Sequence, residues 1–183
     1  MYKQIFLKRG KEESLKRFHP WIFSGAIHHM DEGIEEGETV RVITAAGEFI
    51  AVGHYQIGSI AVRVLSFEDI EINTDFWCER LQSALDVRIG VGIADSPTNN
   101  TYRLVHGEGD YLPGLVIDCY GSTAVMQAHS VGMHVCRNEI CQALVQVMGD
   151  RIANVYYKSE TTLPYKADLH QENGFLVGGD ASN

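Results

Sequence analysis

Short apolar runs with polar residues at alternate positions, separated by glycine, dominate the first third of the chain. Such alternation is typical of strands with one buried face, and glycine supplies the turns between them. It is clearest in Ser59–Phe67, where Ile60, Val62 and Val64 share one face. Several strands at this spacing predict a small β barrel. The predicted strands are Lys3–Lys8, Trp21–Phe23, Thr39–Thr44, Glu48–Tyr55 and Ser59–Phe67.

Two interruptions of this pattern predict departures from regular strands. Lys11–Phe18 is long enough for about two helical turns, with Leu15 and Phe18 three residues apart and facing inward. Pro20 ends this helix, because the residue before a proline avoids the helical conformation. Gly53, inside the fourth predicted strand, indicates a bulge.

The apolar spacing changes near Asn73 to the three or four residues of a helix. Asn73 or Thr74 predicts the start of a helix that runs to about Val91. Val131–Met148 predicts a second long helix. The apolar faces of the two helices are predicted to comprise Phe76, Trp77, Leu81, Leu85 and Ile89, and Val135, Ile140, Leu144, Val147 and Met148.

Strands between and after these helices complete an α+β unit with an antiparallel sheet. The tail from Ser159 shows little periodicity. We therefore expect two domains, a small barrel at 1–70 and an α+β domain with two long helices at 71–183. The predicted strands of the second domain are Thr101–Val105, Leu115–Cys119, Thr123–Ala128 and Ala153–Lys158.

Positive charge is concentrated at the beginning of the chain. Met1–Gly25 contains six Lys or Arg and two Glu, a balance of +4, whereas the remainder has nine against 22, a balance of −13, giving −9 overall. A local basic face attracts phosphate even on an acidic protein. Phe18, His19 and Trp21 place aromatic rings beside these cations, a combination that favours RNA over a membrane as the partner.

Several classes of protein are not favoured by the sequence. No apolar run approaches the roughly 20 residues of a membrane helix, and the first residues lack the apolar core of a signal peptide. We therefore expect a cytoplasmic protein with no membrane partner. Cysteine and histidine spacing fits neither a zinc site nor a redox motif, so we predict free thiols and no metal. The four cysteines are Cys78, Cys119, Cys136 and Cys141.

Two motifs stand out against this background. The first, Lys11–Ile27, combines cations with the turn His19-Pro20-Trp21, followed by Gly25, which allows a close approach of another backbone or a ligand. From the residues alone, a solvated helix face with a buried Trp21 is an equally good interpretation.

The second motif is Arg103–Asp118, a strand, a glycine-rich loop and a second strand. Glu108 and Asp110 in the loop suggest acid–base chemistry, but two carboxylates with no third group are weak evidence. Hydrogen bonds to backbone amides of the turn are the preferred interpretation. The loop His106–Gly114 lacks the lysine and hydroxyl of a phosphate-binding loop.

Both motifs resemble one known family. Gly10–Ala26 resembles the signature of the PUA-type RNA-binding domain that opens the S-adenosylmethionine-dependent rRNA large-subunit cytosine-C5 methyltransferase I family, including its His-Pro-Trp-x-Phe-Ser-Gly-Ala run. Arg103–Asp118 resembles the strand–loop–strand of the middle domain of that family. Phe18, where the family often has a basic residue, and Glu12-Glu13 depart from the first signature.

The resemblance implies a function in RNA modification. Family members continue into a Rossmann-like domain that binds S-adenosylmethionine and carries the catalytic cysteine, whereas this sequence ends at Asn183. We therefore expect an RNA-binding and substrate-positioning portion that is inactive alone, with no cofactor in this chain and rRNA as partner. The expected RNA-binding residues are Lys8, Arg9, Lys11, Lys16, Arg17, His19, Trp21, Arg63 and Arg103.

Two alternatives remain open from the sequence. The second domain suits a protein-interaction or dimerisation module, with its amphipathic helices and strands as the interface. A stand-alone enzyme using Glu108 and Asp110 is the other alternative.

Overall fold

The computed structural model describes residues 2–164, 169 and 171–179. The chain forms two compact units, Met1–Glu71 and Ile72–Asn183. Each unit has its own sheet. No helix among the described residues is both long enough and apolar enough to cross a membrane.

The first unit is a six-stranded curled sheet in the order β2-β6-β5-β4-β1-β3. Only β1 and β4 run parallel among its paired strands. Alternate side chains of the strands point inward and form the core, with Ile5, Val40, Val42 and Val62 fully buried. The strands are β1 (Gln4–Leu7), β2 (Trp21–Phe23), β3 (Ile27–Met30), β4 (Thr39–Ile43), β5 (Phe49–Tyr55) and β6 (Ile60–Ser66).

The bulge predicted at Gly53 is confirmed, since the pairing of β5 with β6 shifts register between Val52 and Gly53. A Cβ atom at Gly53 would lie 2.2 Å from the carbonyl oxygen of Arg63. The two strands therefore approach so closely that no side chain fits at this position.

The prediction of a two-turn helix at Lys11–Phe18 with Phe18 facing inward is wrong. Only a 3₁₀ turn forms, at Leu15–Arg17, and Phe18 follows it in the left-handed conformation with φ 60°. Leu15 is buried as predicted, but the Phe18 side chain is 70% exposed. The left-handed residue and Pro20 end the turn before a second one can form.

His54, on β5, predicts that the first unit loses stability in acid. Burial, and secondly the positive charge of Arg63, lower the pKa of His54 from 6.5 to about 4. Between these values the unfolded chain binds more protons, so stability is full above pH about 6.5 and falls by on the order of 3 kcal/mol towards pH about 4. Urea unfolding followed by Trp21 fluorescence, in a Trp77→Phe background, measures this loss.

The matched variants are His54→Gln and His28→Gln, since His28 is exposed. Only the first should reduce the pH dependence between neutral and acidic buffer. An unchanged pH dependence in His54→Gln would show that other groups cause the acid sensitivity.

The second unit is an α+β arrangement around a five-stranded sheet in the order β11-β10-β9-β8-β7. Helix α1 packs against α3. Its strands are β7 (Thr101–His106), β8 (Leu115–Tyr120), β9 (Thr123–Ala128), β10 (Asn154–Tyr157) and β11 (Gly174–Val177), and its helices are α1 (Thr74–Gly90), α2 (Val131–Val135) and α3 (Arg137–Met148).

The sheet is antiparallel except for one pair, β9 and β10, which runs parallel. The reason is the connection: the chain leaves β9, passes through α2 and α3 and returns in the same direction. The predicted antiparallel sheet therefore contains one parallel pair.

Helix α1 starts as predicted, because the side-chain Oδ1 of Asn73 accepts a hydrogen bond from the backbone N–H of Phe76 at 3.0 Å. The second predicted helix is divided at Cys136 into α2 and α3. Two residues of the predicted apolar faces, Ile89 and Val135, are exposed. Ile89 lies in the last turn of α1, and Val135 is the last residue of α2.

Candidate nucleic-acid interface

The five predicted cations between β1 and β2 are all exposed: Lys8, Arg9, Lys11, Lys16 and Arg17. We call Lys8–Arg17 the basic segment. The loop that contains it is closed at its base, where the Lys8 N–H donates to the Ala26 carbonyl at 2.9 Å. The Lys8 Nζ also donates to the Gly25 carbonyl at 3.0 Å. These bonds fix one end of the segment against the sheet.

One member of the segment already has an acidic partner. Lys16 Nζ lies 2.8 Å from Glu13 Oε1. The hydrogen bond and the opposite charge raise the pKa of Lys16 and lower that of Glu13. Pairs this exposed contribute little to stability. An RNA phosphate must therefore compete with Glu13 for Lys16, but not at a large cost.

The turn after the segment is held by His19. The backbone N–H of Trp21 donates to His19 Nδ1 at 3.1 Å, and Pro20 between them restricts the backbone. The His19 and Trp21 rings meet edge to face with centroids 5.9 Å apart. The predicted role of His19 and Trp21 in shaping this turn fits these contacts.

Phe23 joins these two rings, and we call His19, Trp21 and Phe23 the aromatic patch. On β2, Ile22 points into the core, so Trp21 and Phe23 share the outer face. The centroid of the Phe23 ring lies 6.2 Å from that of His19 and 6.5 Å from that of Trp21. Trp21 is half-buried, and Phe23 is 49% exposed. The sequence analysis omitted Phe23, although the alternation of Trp21-Ile22-Phe23 contains the signal.

The two remaining predicted arginines have different surroundings. Arg63 pairs with Trp21 across β6 and β2, and its Nη1 donates to Gln56 Oε1 at 2.8 Å. It is therefore next to the aromatic patch. Arg103 belongs to the second unit, where it pairs with both carboxylate oxygens of Asp118 at 2.8 and 3.0 Å. Its guanidinium already has a carboxylate partner, which makes it a weaker candidate for phosphate.

Asp110 has a structural role in the glycine-rich loop. Its Oδ2 accepts a hydrogen bond from the His106 N–H at 2.6 Å and another from Arg88 Nη2 at 2.8 Å. Arg88 Nη1 donates to the other carboxylate oxygen. The backbone-binding interpretation is confirmed for Asp110, whose side chain is 7% exposed. This carboxylate is therefore not available for acid–base chemistry.

Comparison with known families identifies the unit that carries the basic segment. Residues 5–67 match the family of PUA-like domains. The first unit is a PUA-like domain. The prediction of a PUA-like barrel followed by an α+β domain is thereby confirmed. All five cations of the basic segment and the whole aromatic patch lie within the matched residues of the PUA-like domain.

Sequence similarity to known proteins covers both units. The chain is 39% identical over 179 residues to the ribosomal RNA large subunit methyltransferase I of Vibrio parahaemolyticus, covering 97% of this chain and 44% of the relative. The enzyme of the same name from Klebsiella pneumoniae is 35% identical over 180 residues, with the same coverage. The chain thus spans less than half the length of these relatives, in their amino-terminal part. The resemblance predicted from the two motifs is confirmed.

Solved structures support the fold. A protein from Streptococcus mutans, described as a SAM-dependent methyltransferase, superposes with a TM-score of 0.78 at 21% identity, over 97% of this chain and 44% of that one. SMU.776, described as a methyltransferase complexed with SAH, superposes with a TM-score of 0.77 at 20% identity, over 98% and 43%.

Proposed function

We propose that this chain binds RNA through the basic segment of its PUA-like domain and positions it as part of a SAM-dependent rRNA (cytosine-C5) methyltransferase. The observation that carries the proposal is the grouping of five exposed cations next to an aromatic patch, in a domain of the PUA-like family. The names of the relatives support rRNA as the substrate. Because the remaining residues sum to −13, this face is the one whose positive charge attracts RNA most strongly.

The second part of the proposal concerns which part of the methyltransferase carries out catalysis. We propose that methyl transfer and S-adenosylmethionine binding belong to the part of the relatives that this chain does not match. The glycine-rich loop Gly107–Asp110 supports this proposal. Its Asp110 carboxylate already accepts hydrogen bonds from Arg88 and the His106 N–H, so it cannot also bind the ribose of S-adenosylmethionine. The 71–183 domain would then connect the RNA-binding domain with the catalytic one.

A fluorescence-anisotropy titration with rRNA fragments across a salt series tests the proposal. We expect binding at low salt that weakens steeply as the salt concentration rises, because phosphate contacts release counterions. No binding at low salt, or binding that is insensitive to salt, would contradict an electrostatic RNA interface.

A second candidate function for the 71–183 domain is self-association. Three apolar side chains at and after the end of α1 are exposed, Val87 by 53%, Val91 by 64% and Ile93 by 41%. They line a cleft of about 500 Å³, and exposed apolar patches of this kind often mark interfaces. Light scattering together with the RNA titration distinguishes the candidates, since a dimer without RNA affinity would favour self-association as the function of the chain.

A further inference from the structure

The aromatic patch adjoins a cleft between β2 and the 3₁₀ turn. The cleft has a volume of about 310 Å³ and is lined by Lys11, Ser14, Trp21, Phe23 and Gly25, among others. This volume lies at the lower end of the range of small-molecule pockets, about 300–1,000 Å³. At Gly25 an added Cβ atom would meet no atom within 4 Å, so this side of the cleft is open.

The chemistry of the lining combines a ring face with a cation. The Phe23 ring is 49% exposed, whereas Trp21 is half-buried, and β2 is an edge strand with no further strand paired beyond it among the described residues. The Trp21 ring meets Phe23 edge to face, and the His19 ring is tilted by 46° relative to Phe23, so Phe23 has a ring neighbour on two sides. Lys11 also lines the cleft and is exposed. A planar aromatic group next to an anion matches this arrangement.

We propose that this cleft receives an unpaired nucleobase of the RNA, stacked on Phe23, while Lys11 contacts an adjacent phosphate. The proposal rests on the proposed function and makes it more specific: the substrate presents a single-stranded or looped-out nucleotide at this site. Bases within a duplex are stacked on each other and cannot reach the Phe23 ring, whereas splayed bases of loops stack readily on aromatic side chains.

Three variants separate stacking from charge. Phe23→Leu keeps an apolar side chain but removes the ring, and Phe23→Tyr restores a ring. Lys11→Ala removes the cation. Tyr120→Ala is the matched control, since Tyr120 is 51% exposed but lies in the second unit. Circular dichroism and urea unfolding of each variant verify that the fold is retained.

The experiment is an anisotropy titration of the full chain with an unstructured single-stranded RNA and with the perfect duplex of the same sequence. For the single strand, Phe23→Leu should weaken binding by about 5- to 150-fold without changing the salt slope. Lys11→Ala should lower that slope by about 0.7. Phe23→Tyr and Tyr120→Ala should bind as the unaltered chain does, and Phe23→Leu should leave duplex binding unchanged.

The outcomes distinguish this proposal from the proposed function. If the unaltered chain binds neither RNA at low salt, both are overturned. If it binds RNA but Phe23→Leu weakens single strand and duplex equally, or neither, the stacking site is overturned and RNA binding stands. Quenching of tryptophan fluorescence by the single strand is a second signature, since Trp21 borders the cleft and Trp77 is fully buried.

Discussion

Replacing Lys8, Arg9, Lys11 and Arg17 together by alanine is expected to abolish most of the affinity for RNA. Each contact with a single-stranded phosphate contributes about 0.7 to the slope of log affinity against log salt concentration, so four contacts contribute a slope of about 3. At about 0.1 M salt, the loss of these contacts corresponds to a decrease in affinity on the order of 500-fold. The fold should persist, because all four side chains are exposed.

Two-charge variants show whether location or net charge causes this loss. Lys8→Ala with Arg9→Ala, and Lys11→Ala with Arg17→Ala, should each remove about half of the slope. Arg151→Ala with Lys158→Ala removes the same charge from exposed positions of the second unit and should change little. Equal losses in all three double variants would assign the effect to net charge and contradict a local interface.

Replacing Asp110 by alanine is expected to cause the largest loss of stability among single substitutions outside the apolar cores. The Arg88 and Asp110 side chains are 14% and 7% exposed, so the variant leaves a mostly buried guanidinium without its carboxylate. It also removes the acceptor of the His106 N–H. Breaking a buried pair in this way costs about 3–5 kcal/mol. Urea unfolding followed by Trp77 fluorescence, in a Trp21→Phe background, measures the effect on the second unit.

The matched control is Asp95→Ala. Asp95 also pairs with an arginine, Arg151, but these side chains are 53% and 41% exposed, and exposed pairs contribute about 0–1 kcal/mol. A similar small effect of both substitutions would contradict the structural role assigned to Asp110.

The pattern of apolar residues was sufficient for the elements whose stability comes from burial. The strands β4, β5 and β6 and helix α1 all fall within the predicted apolar runs. In β5 and β6 the buried residues are consecutive rather than alternating, so the apolar content of these runs, not strict alternation, located them. The cap of α1 at Asn73 was equally visible, since its side chain acts within its own turn.

Elements held by pairing rather than by burial escaped the sequence analysis. β3 (Ile27–Met30) is an edge strand with three exposed residues, and β11 (Gly174–Val177) is an edge strand with two. Their backbones pair with β1 and β10, which no local pattern reveals. The parallel direction of β10 depends on the path through α2 and α3 and is likewise not local.

The candidate site was predictable in part. The concentration of positive charge in the sequence predicted the cations of the basic segment. It did not predict that Lys16 pairs with Glu13 or that Arg103 pairs with Asp118. The sequence analysis named Trp21 but not Phe23 as an RNA-binding residue. In the structure Trp21 is half-buried, whereas Phe23, on the same face of β2, is exposed. Which of two aromatic residues on one face is exposed depends on tertiary packing.

Ultraviolet cross-linking of the full chain to an rRNA fragment, followed by mass spectrometry, tests the central claim most directly. If RNA lies along the basic segment and the aromatic patch, cross-linked peptides will cover residues 8–23, with Trp21 and Phe23 among the modified side chains. Cross-links confined to residues 72–183 would contradict the assignment of RNA binding to the PUA-like domain.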